Sequence, residues 1–173
     1  MNNILGREYF SRPATELAGD LIGKLICRRF AEGEIKKYRI TETECYFGEE
    51  DTACHAHKGR TKRTETLYMQ GGVAYVYLCY GIHALLNFVT GDRDHPEAVL
   101  IRGVEGIPGP GRVTKALGIT CAMNKAELSF ESGIWVEDDG ASSPEIQATP
   151  RIGIDYAEKQ DRERLWRYIV KKF

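Results

Sequence analysis

The sequence predicts an α+β fold in a single domain, residues 1–173, and three observations carry that expectation. Segments rich in β-branched, aromatic and aliphatic residues outnumber those with helical periodicity. The helical stretches are short and unevenly placed, which regular βαβ layering would not produce. Length and composition are sufficient as well: 173 residues, 42% of them hydrophobic, bury roughly two-thirds of the surface an unfolded chain exposes. With 28% charged residues, the composition excludes a disordered or fibrous chain.

The first element is a helix. Leu17, Ala18, Leu21, Ile22 and Leu25 fall on one face at helical spacing, and Pro13 suits a first turn. Gly19 and Gly23 weaken it, so it ends near Gly23. Leu25, Ile26 and Cys27 lead into an extended segment, a loop follows at 31–34, and residues 35–47 form the second strand of a hairpin. Residues 73–79 and 82–89 are richest in strand formers and flank Tyr80-Gly81, which predicts a hairpin with a tight tip. Residues 98–104 form another strand. Gly109-Pro110-Gly111 then opens a short helix containing Val113, Ala116 and Leu117. Segments 133–136, 146–149, 151–154 and 166–170 are shorter strand candidates; 138–144 is a turn-rich loop and 158–164 a charged loop or short helix.

Lysine and arginine number 24 against 25 aspartate and glutamate, a formal net charge of −1. Bulk electrostatics therefore does not wrap this chain in nucleic acid. The charge is locally uneven, however. Lys58, Arg60, Lys62 and Arg63 stand between Cys54 and Thr64 without an acidic residue, just after Glu49, Glu50 and Asp51. The run reads as a solvated loop or as a phosphate-contacting one. No apolar stretch reaches the roughly 18 uncharged residues of a membrane span. The N-terminus MNNILGREYF lacks the basic start and apolar run of a signal peptide, so a cytoplasmic protein without a membrane partner is expected. Five cysteines, Cys27, Cys45, Cys54, Cys79 and Cys121, include no C-x-x-C pair and read as reduced thiols. Cys54, His55 and His57 lack a second ligand cluster with metal-like spacing.

Chemistry concentrates in a few segments. Strand alternation places Ile40, Glu42, Glu44 and Tyr46 on one face. Two carboxylates beside an aromatic ring imply either an edge strand facing water or a cleft wall with partners for each charge. Tyr75 and Tyr77 point one way along the next hairpin, and Tyr80 takes the other parity at its tip. On pattern alone Tyr80 packs back on the core; held outward, such a ring belongs to a binding surface, as in wedges that enter DNA. Asn87 needs hydrogen-bond partners if buried. Arg102 ends an apolar strand and seeks a carboxylate, Glu44 or Glu42. A lone His55 reads more simply as a structural residue than as a base.

Taken together, these segments resemble the alkyladenine (3-methyladenine, methylpurine) DNA glycosylase family. The resemblance rests on Ile40-Thr41-Glu42-Thr43-Glu44-Cys45-Tyr46-Phe47-Gly48 with Asp51 and His55-Ala56. It continues through Tyr75-Val76-Tyr77-Leu78-Cys79-Tyr80-Gly81-Ile82-His83, Asn87 and Val99-Leu100-Ile101-Arg102. The blocks from Gly109 to Ile119 and Pro150-Arg151-Ile152-Gly153-Ile154 complete it, in family order over nearly the whole chain.

The resemblance implies a curved antiparallel sheet with a protruding hairpin and short surrounding helices. It implies a monofunctional N-glycosylase for base-excision repair that removes 3-methyladenine and related purines, in several members hypoxanthine or ethenoadenine, from double-stranded DNA. No metal or organic cofactor is implied, and a monomer is the simplest state. Glu44 matches the carboxylate that activates water and Arg102 an arginine that helps hold it. Tyr46, His55 and Tyr77 match residues lining the pocket for a flipped base, with Asn87 at its wall, and Tyr80 matches the tyrosine that enters the minor groove. Lys58, Arg60 and Lys62 then become phosphate contacts. If the whole basic run Lys58 to Arg63 meets about four phosphates, the salt slope is near −3.6. Two departures stand out: Cys45 where the family usually has Ala, and Leu67-Tyr68 where Met-Phe is common. Two other readings of the same residues are an O-glycoside hydrolase using Glu42 with Glu44, and a non-catalytic binder of damaged DNA using Tyr80 alone.

Overall fold

The computed structural model describes residues 3–171. In chain order the strands are β1 (Asn3–Ile4), β2 (Leu25–Arg29), β3 (Ile35–Phe47), β4 (Ala74–Cys79) and β5 (His83–Val89). They continue with β6 (Glu97–Val104), β7 (Ile107–Pro108), β8 (Ile134–Asp138), β9 (Ile146–Thr149) and β10 (Arg167–Val170). The helices are α1 (Arg7–Phe10), α2 (Ala14–Asp20), α3 (Pro110–Ala116) and α4 (Lys159–Glu163). The strands join in one antiparallel sheet ordered β1-β8-β2-β3-β6-β5-β4, so the α+β expectation holds.

β3 is the axis of that sheet. Its first five residues pair with β2, from Leu25↔Arg39 to Arg29↔Ile35, which is the hairpin read from the sequence. Its later residues pair with β6 on one side and, at Glu42 to Glu44, with β10 on the other. The register with β6 shifts around Glu42, and the shift reverses the alternation. Before it, Tyr38 and Ile40 face the apolar core; after it, Cys45 does, and Thr43 Oγ1 donates to Ala18 O at 2.6 Å. Ile40 therefore does not share a face with Glu42, Glu44 and Tyr46, because a strand of strict period two was assumed where the backbone is bulged.

α1 and α2 cover one face of β3 to β6. Phe10, Leu17, Ala18 and Leu21 pack against Cys45, Val76, Leu86, Phe88, Val99 and Ile101. Burying side chains of this size contributes about 1.5–3 kcal/mol each. The buried carboxylate of Glu97 accepts from Ala14 N at 2.6 Å and so satisfies one open donor at the start of α2. The helix stops at Asp20, before Gly23, whose φ of 91° turns the chain while its N–H donates to Ile40 O. α3 begins where expected, with Pro110 in its first turn. Residues 151–154 form a bend and not a strand: Gly153 has a φ of 76°, and the Arg151 side chain points inward. No helix among the described residues is long and apolar enough to cross a membrane.

Candidate active site

The opposite face of β3 to β6 is the floor of a cavity of about 800 Å³. Strand alternation sends Tyr46, Tyr75, Tyr77, Asn87, Leu100 and Arg102 into it, while their neighbours fill the core. α3, the β4–β5 hairpin and the bend at residues 152–153 form its walls. Gly111 brings α3 against the hairpin, since a Cβ there would lie 3.3 Å from the His83 ring.

Glu44 is 0% exposed and is not among the residues that line the cavity; it stands directly behind three that do, Tyr46, Arg102 and Ile152. Oε1 accepts from Tyr46 Oη at 2.8 Å, and Oε2 accepts from Ile152 N at 2.6 Å. Arg102 Nη1 stands 3.7 Å from Oε1. Burial pushes the Glu44 carboxyl above its usual range; Arg102, the Ile152 N–H and the Tyr46 hydroxyl oppose that shift. The edge-strand reading of the carboxylates is thus corrected, because β6 and β10 flank β3 on both sides here. Arg102 finds Glu42 as well: its Nε donates to Glu42 Oε1 at 3.0 Å, and Arg167 Nε donates to the same oxygen at 2.7 Å. Glu42 is therefore taken up by two arginines, and it does not face Glu44 across an open cleft as a second catalytic carboxylate would.

The aromatic wall is built from non-adjacent segments. The His55 ring lies 4.5 Å from that of Tyr77, edge to face, and its Nδ1 is 2.9 Å from Tyr75 Oη. Burial, with Arg63 nearby, depresses the His55 pKa to about 4, so its ring is neutral at physiological pH. Asn87 Nδ2 donates to Tyr75 O at 3.3 Å, which answers its need for a partner. Tyr75 and Tyr156 line the cavity too and were not singled out from the sequence; only Tyr75 carried a signal, its parity with Tyr77.

Tyr80 is 90% exposed at the hairpin tip. Ile82 N donates to Cys79 O at 3.1 Å, and both Tyr80 (φ 52°) and Gly81 (φ 67°) adopt left-handed backbone, as a primed hairpin turn requires. That turn prevents the ring from folding back, so the pattern-based placement on the core fails. Ile82 beside it is 74% exposed.

The basic run divides. Lys58 and Lys62 are exposed and outside the cavity lining, while Arg60 pairs with Asp94 at 3.1 Å and lies over the Tyr68 ring. Arg63 does line the cavity, and Arg112 and Lys115 of α3 reach it from the other side. Cys54 is buried with its thiol pKa pushed up to about 12. No group of three or more His, Cys, Asp or Glu among the described residues converges as a metal site.

Comparison with known proteins gives a consistent result. A profile of the family described as methylpurine-DNA glycosylase matches residues 8–108 and 103–173. A Psychrobacter cryohalolentis protein named "Putative 3-methyladenine DNA glycosylase" is 43% identical over 198 residues, covering 98% of this chain and 92% of its own length. Proteins bearing the same name from Methanocella arvoryzae (41% identical; 97% and 92% covered) and Rickettsia felis (42%; 96% and 93%) are similarly related.

Proposed function

The chain belongs to the methylpurine-DNA glycosylase family, and from that premise we propose a monofunctional N-glycosylase that acts on damaged purines in double-stranded DNA. The observation that carries the mechanism is Glu44: a buried carboxylate with three polar partners, Tyr46, Ile152 and Arg102, each of which lines the cavity. Burying a charge in this way is unfavourable and calls for a purpose.

A base inside a duplex is out of reach, so it is extruded at a cost of a few kcal/mol. Tyr80 fills the gap left behind. The base enters among Tyr46, Tyr77 and His55, whose electron-rich faces favour a cationic alkylated purine. The N-glycosidic bond breaks and its electron pair leaves with the base. A water then bonds to the sugar carbon while Glu44 takes its proton and steadies the oxocarbenium-like sugar. The 3.7 Å between Arg102 and Glu44 exceeds a hydrogen bond and suits a water bound to both. Lys58, Arg60 and Lys62 are proposed to meet phosphates, together with Arg63, Arg112 and Lys115 at the cavity.

Single-turnover base release tests this reading, with duplexes carrying 3-methyladenine, 7-methylguanine, hypoxanthine or ethenoadenine. Wild type is expected to release at least one of the four and leave an alkali-sensitive abasic site. Glu44→Gln is expected to bind the same duplex and lose release by about 10²–10⁴-fold, the usual worth of a general base. Binding without release from any of the four would favour the non-catalytic damaged-DNA binder.

A further inference from the structure

The proposed chemistry makes no use of Arg151 and Asp51, yet the two form a buried ion pair, 5% and 2% exposed. Arg151 Nη1 donates to Asp51 Oδ2 at 2.6 Å and to Cys45 O at 2.9 Å. Its Nη2 donates to Asp51 Oδ1 at 2.9 Å and to Asp161 O at 3.2 Å. The guanidinium also lies 4.9 Å from the Tyr46 ring centroid and 5.0 Å from that of Trp166. One side chain is thus fixed by four hydrogen bonds and two rings.

Such a pair is a weak source of net stability, because desolvation offsets much of its attraction. Its neighbours suggest another use. The next residue is Ile152, whose side chain is exposed while its N–H donates to Glu44 Oε2 at 2.6 Å. Among the described residues, 150–153 make no backbone-to-backbone hydrogen bond, so no ladder holds this bend. The Arg151 side chain supplies the anchor that a ladder would supply elsewhere.

We propose that Arg151 is a positioning residue: locked by Asp51, it holds the Ile152 N–H on Glu44 and the Tyr46 ring beside it. The proposal rests on Glu44 being the base. Around Glu44 stand Tyr46 from its own strand, Arg102 from β6, Tyr77 from β4, Arg167 in register on β10, and Arg151 and Tyr156 from the C-terminal segment, while Glu42, two residues earlier on β3, is paired with Arg102 and Arg167. The bend supplies two of these influences, the Ile152 donor and the Arg151 charge, and Arg151→Lys keeps the second while loosening the first.

Arg151→Lys tests it, since lysine keeps the charge and loses the planar fork. Base release is followed against pH on a duplex carrying 7-methylguanine, which stays cationic through the acidic limb and loses its N1 proton only nearer neutrality. With the Ile152 bond weakened, Glu44 holds its proton more tightly. The acidic limb is expected to move to higher pH by about one unit, the scale of one N–H bond to a carboxylate. Duplex affinity should be unchanged. Arg151→Met is expected to move the limb at least as far. A folded Arg151→Lys protein with the wild-type limb overturns the proposal.

Because replacing a buried arginine destabilises the fold, the wild-type protein supplies a second readout. The Ile152 amide should exchange slowly and its resonance should titrate together with the acidic limb. An amide that exchanges freely, or ignores that limb, also overturns the proposal. The premise fails separately: if Glu44→Gln still releases base, the mechanism is wrong; if it does not and the limb of Arg151→Lys is unmoved, the positioning role alone is wrong.

Discussion

Glu44 stands behind the wall of a cavity that Tyr80 lines, and the two are held in opposite ways. Glu44 is wholly buried, and its polar partners come from β3, β6 and the bend at residue 152. Tyr80 is almost wholly exposed, and its direction is set by two consecutive left-handed residues within one turn. The carboxylate is over-determined by distant contacts; the ring is placed by local backbone geometry. Stability, pH response and duplex capture should therefore divide between the two regions.

The largest expected difference is in folding. Arg151→Met leaves Asp51 buried without its partner and should lower unfolding stability by about 3–5 kcal/mol. Tyr80→Gly removes a side chain from left-handed backbone, which disfavours non-glycine residues by roughly 1–2 kcal/mol, and should leave stability unchanged or raise it by up to about 1 kcal/mol. Denaturant midpoints of the two variants measure this directly. Comparable losses in both would remove the distinction.

The next effect is in pH. The folded-state pKa of His55, about 4, lies below its ordinary value of 6.5. The unfolded chain therefore binds more protons between those values, and the contribution to stability is full above pH 6.5 and lost as pH falls through 4. Its size is about 3 kcal/mol at most. His55→Gln should flatten the stability profile in that window, whereas Tyr80→Gly should not alter its slope. A wild-type slope in His55→Gln would place the imidazole in water.

Capture of the flipped state comes third. Tyr80→Ala should slow base release from duplex roughly ten- to hundredfold, in line with stacking worth about 1–3 kcal/mol, and leave release from single strands unaffected. An unchanged duplex rate would mean that the tip only decorates the cavity. The smallest effect is in salt dependence. Replacing Arg63, Arg112 and Lys115 with Ala should reduce the slope of log affinity against log salt by about 2.7, if each meets one phosphate. Replacing Lys58, Arg60 and Lys62 should change it less, because Asp94 already engages Arg60.

The same division explains what could be read from the sequence. The β4–β5 hairpin, the β2–β3 pairing and the start of α3 are local, set by strand formers, turn residues and Pro110, and their bounds were legible to within a residue or two. Alternation alone paired Glu44 with Tyr46 and Tyr75 with Tyr77 and left Arg102 seeking a carboxylate; it was the family resemblance that joined Glu44, Tyr46, Tyr77 and Arg102 into one site. The reversal at Glu42 was not legible, since a register shift depends on the partner strand and leaves no mark in the hydrophobic pattern. The role of residues 151–154 was misread for a related reason: Arg-Ile-Gly-Ile has strand-like composition, yet Arg151 satisfies Asp51 and Asp161 instead of a ladder. Buried ion pairs across a hundred residues have no local signature.

The distance in sequence between Glu44 and Ile152, 108 residues, also has a consequence for biosynthesis. The ribosome makes the carboxylate long before its amide donor, so a nascent chain carries Glu44 with a vacant oxygen and an unanchored Tyr46. Base-removing capacity should accordingly be absent from translation intermediates that end before the bend. Abasic sites, which are hazardous to a genome, would then be generated only by molecules in which the bend at residue 152 has docked on Glu44.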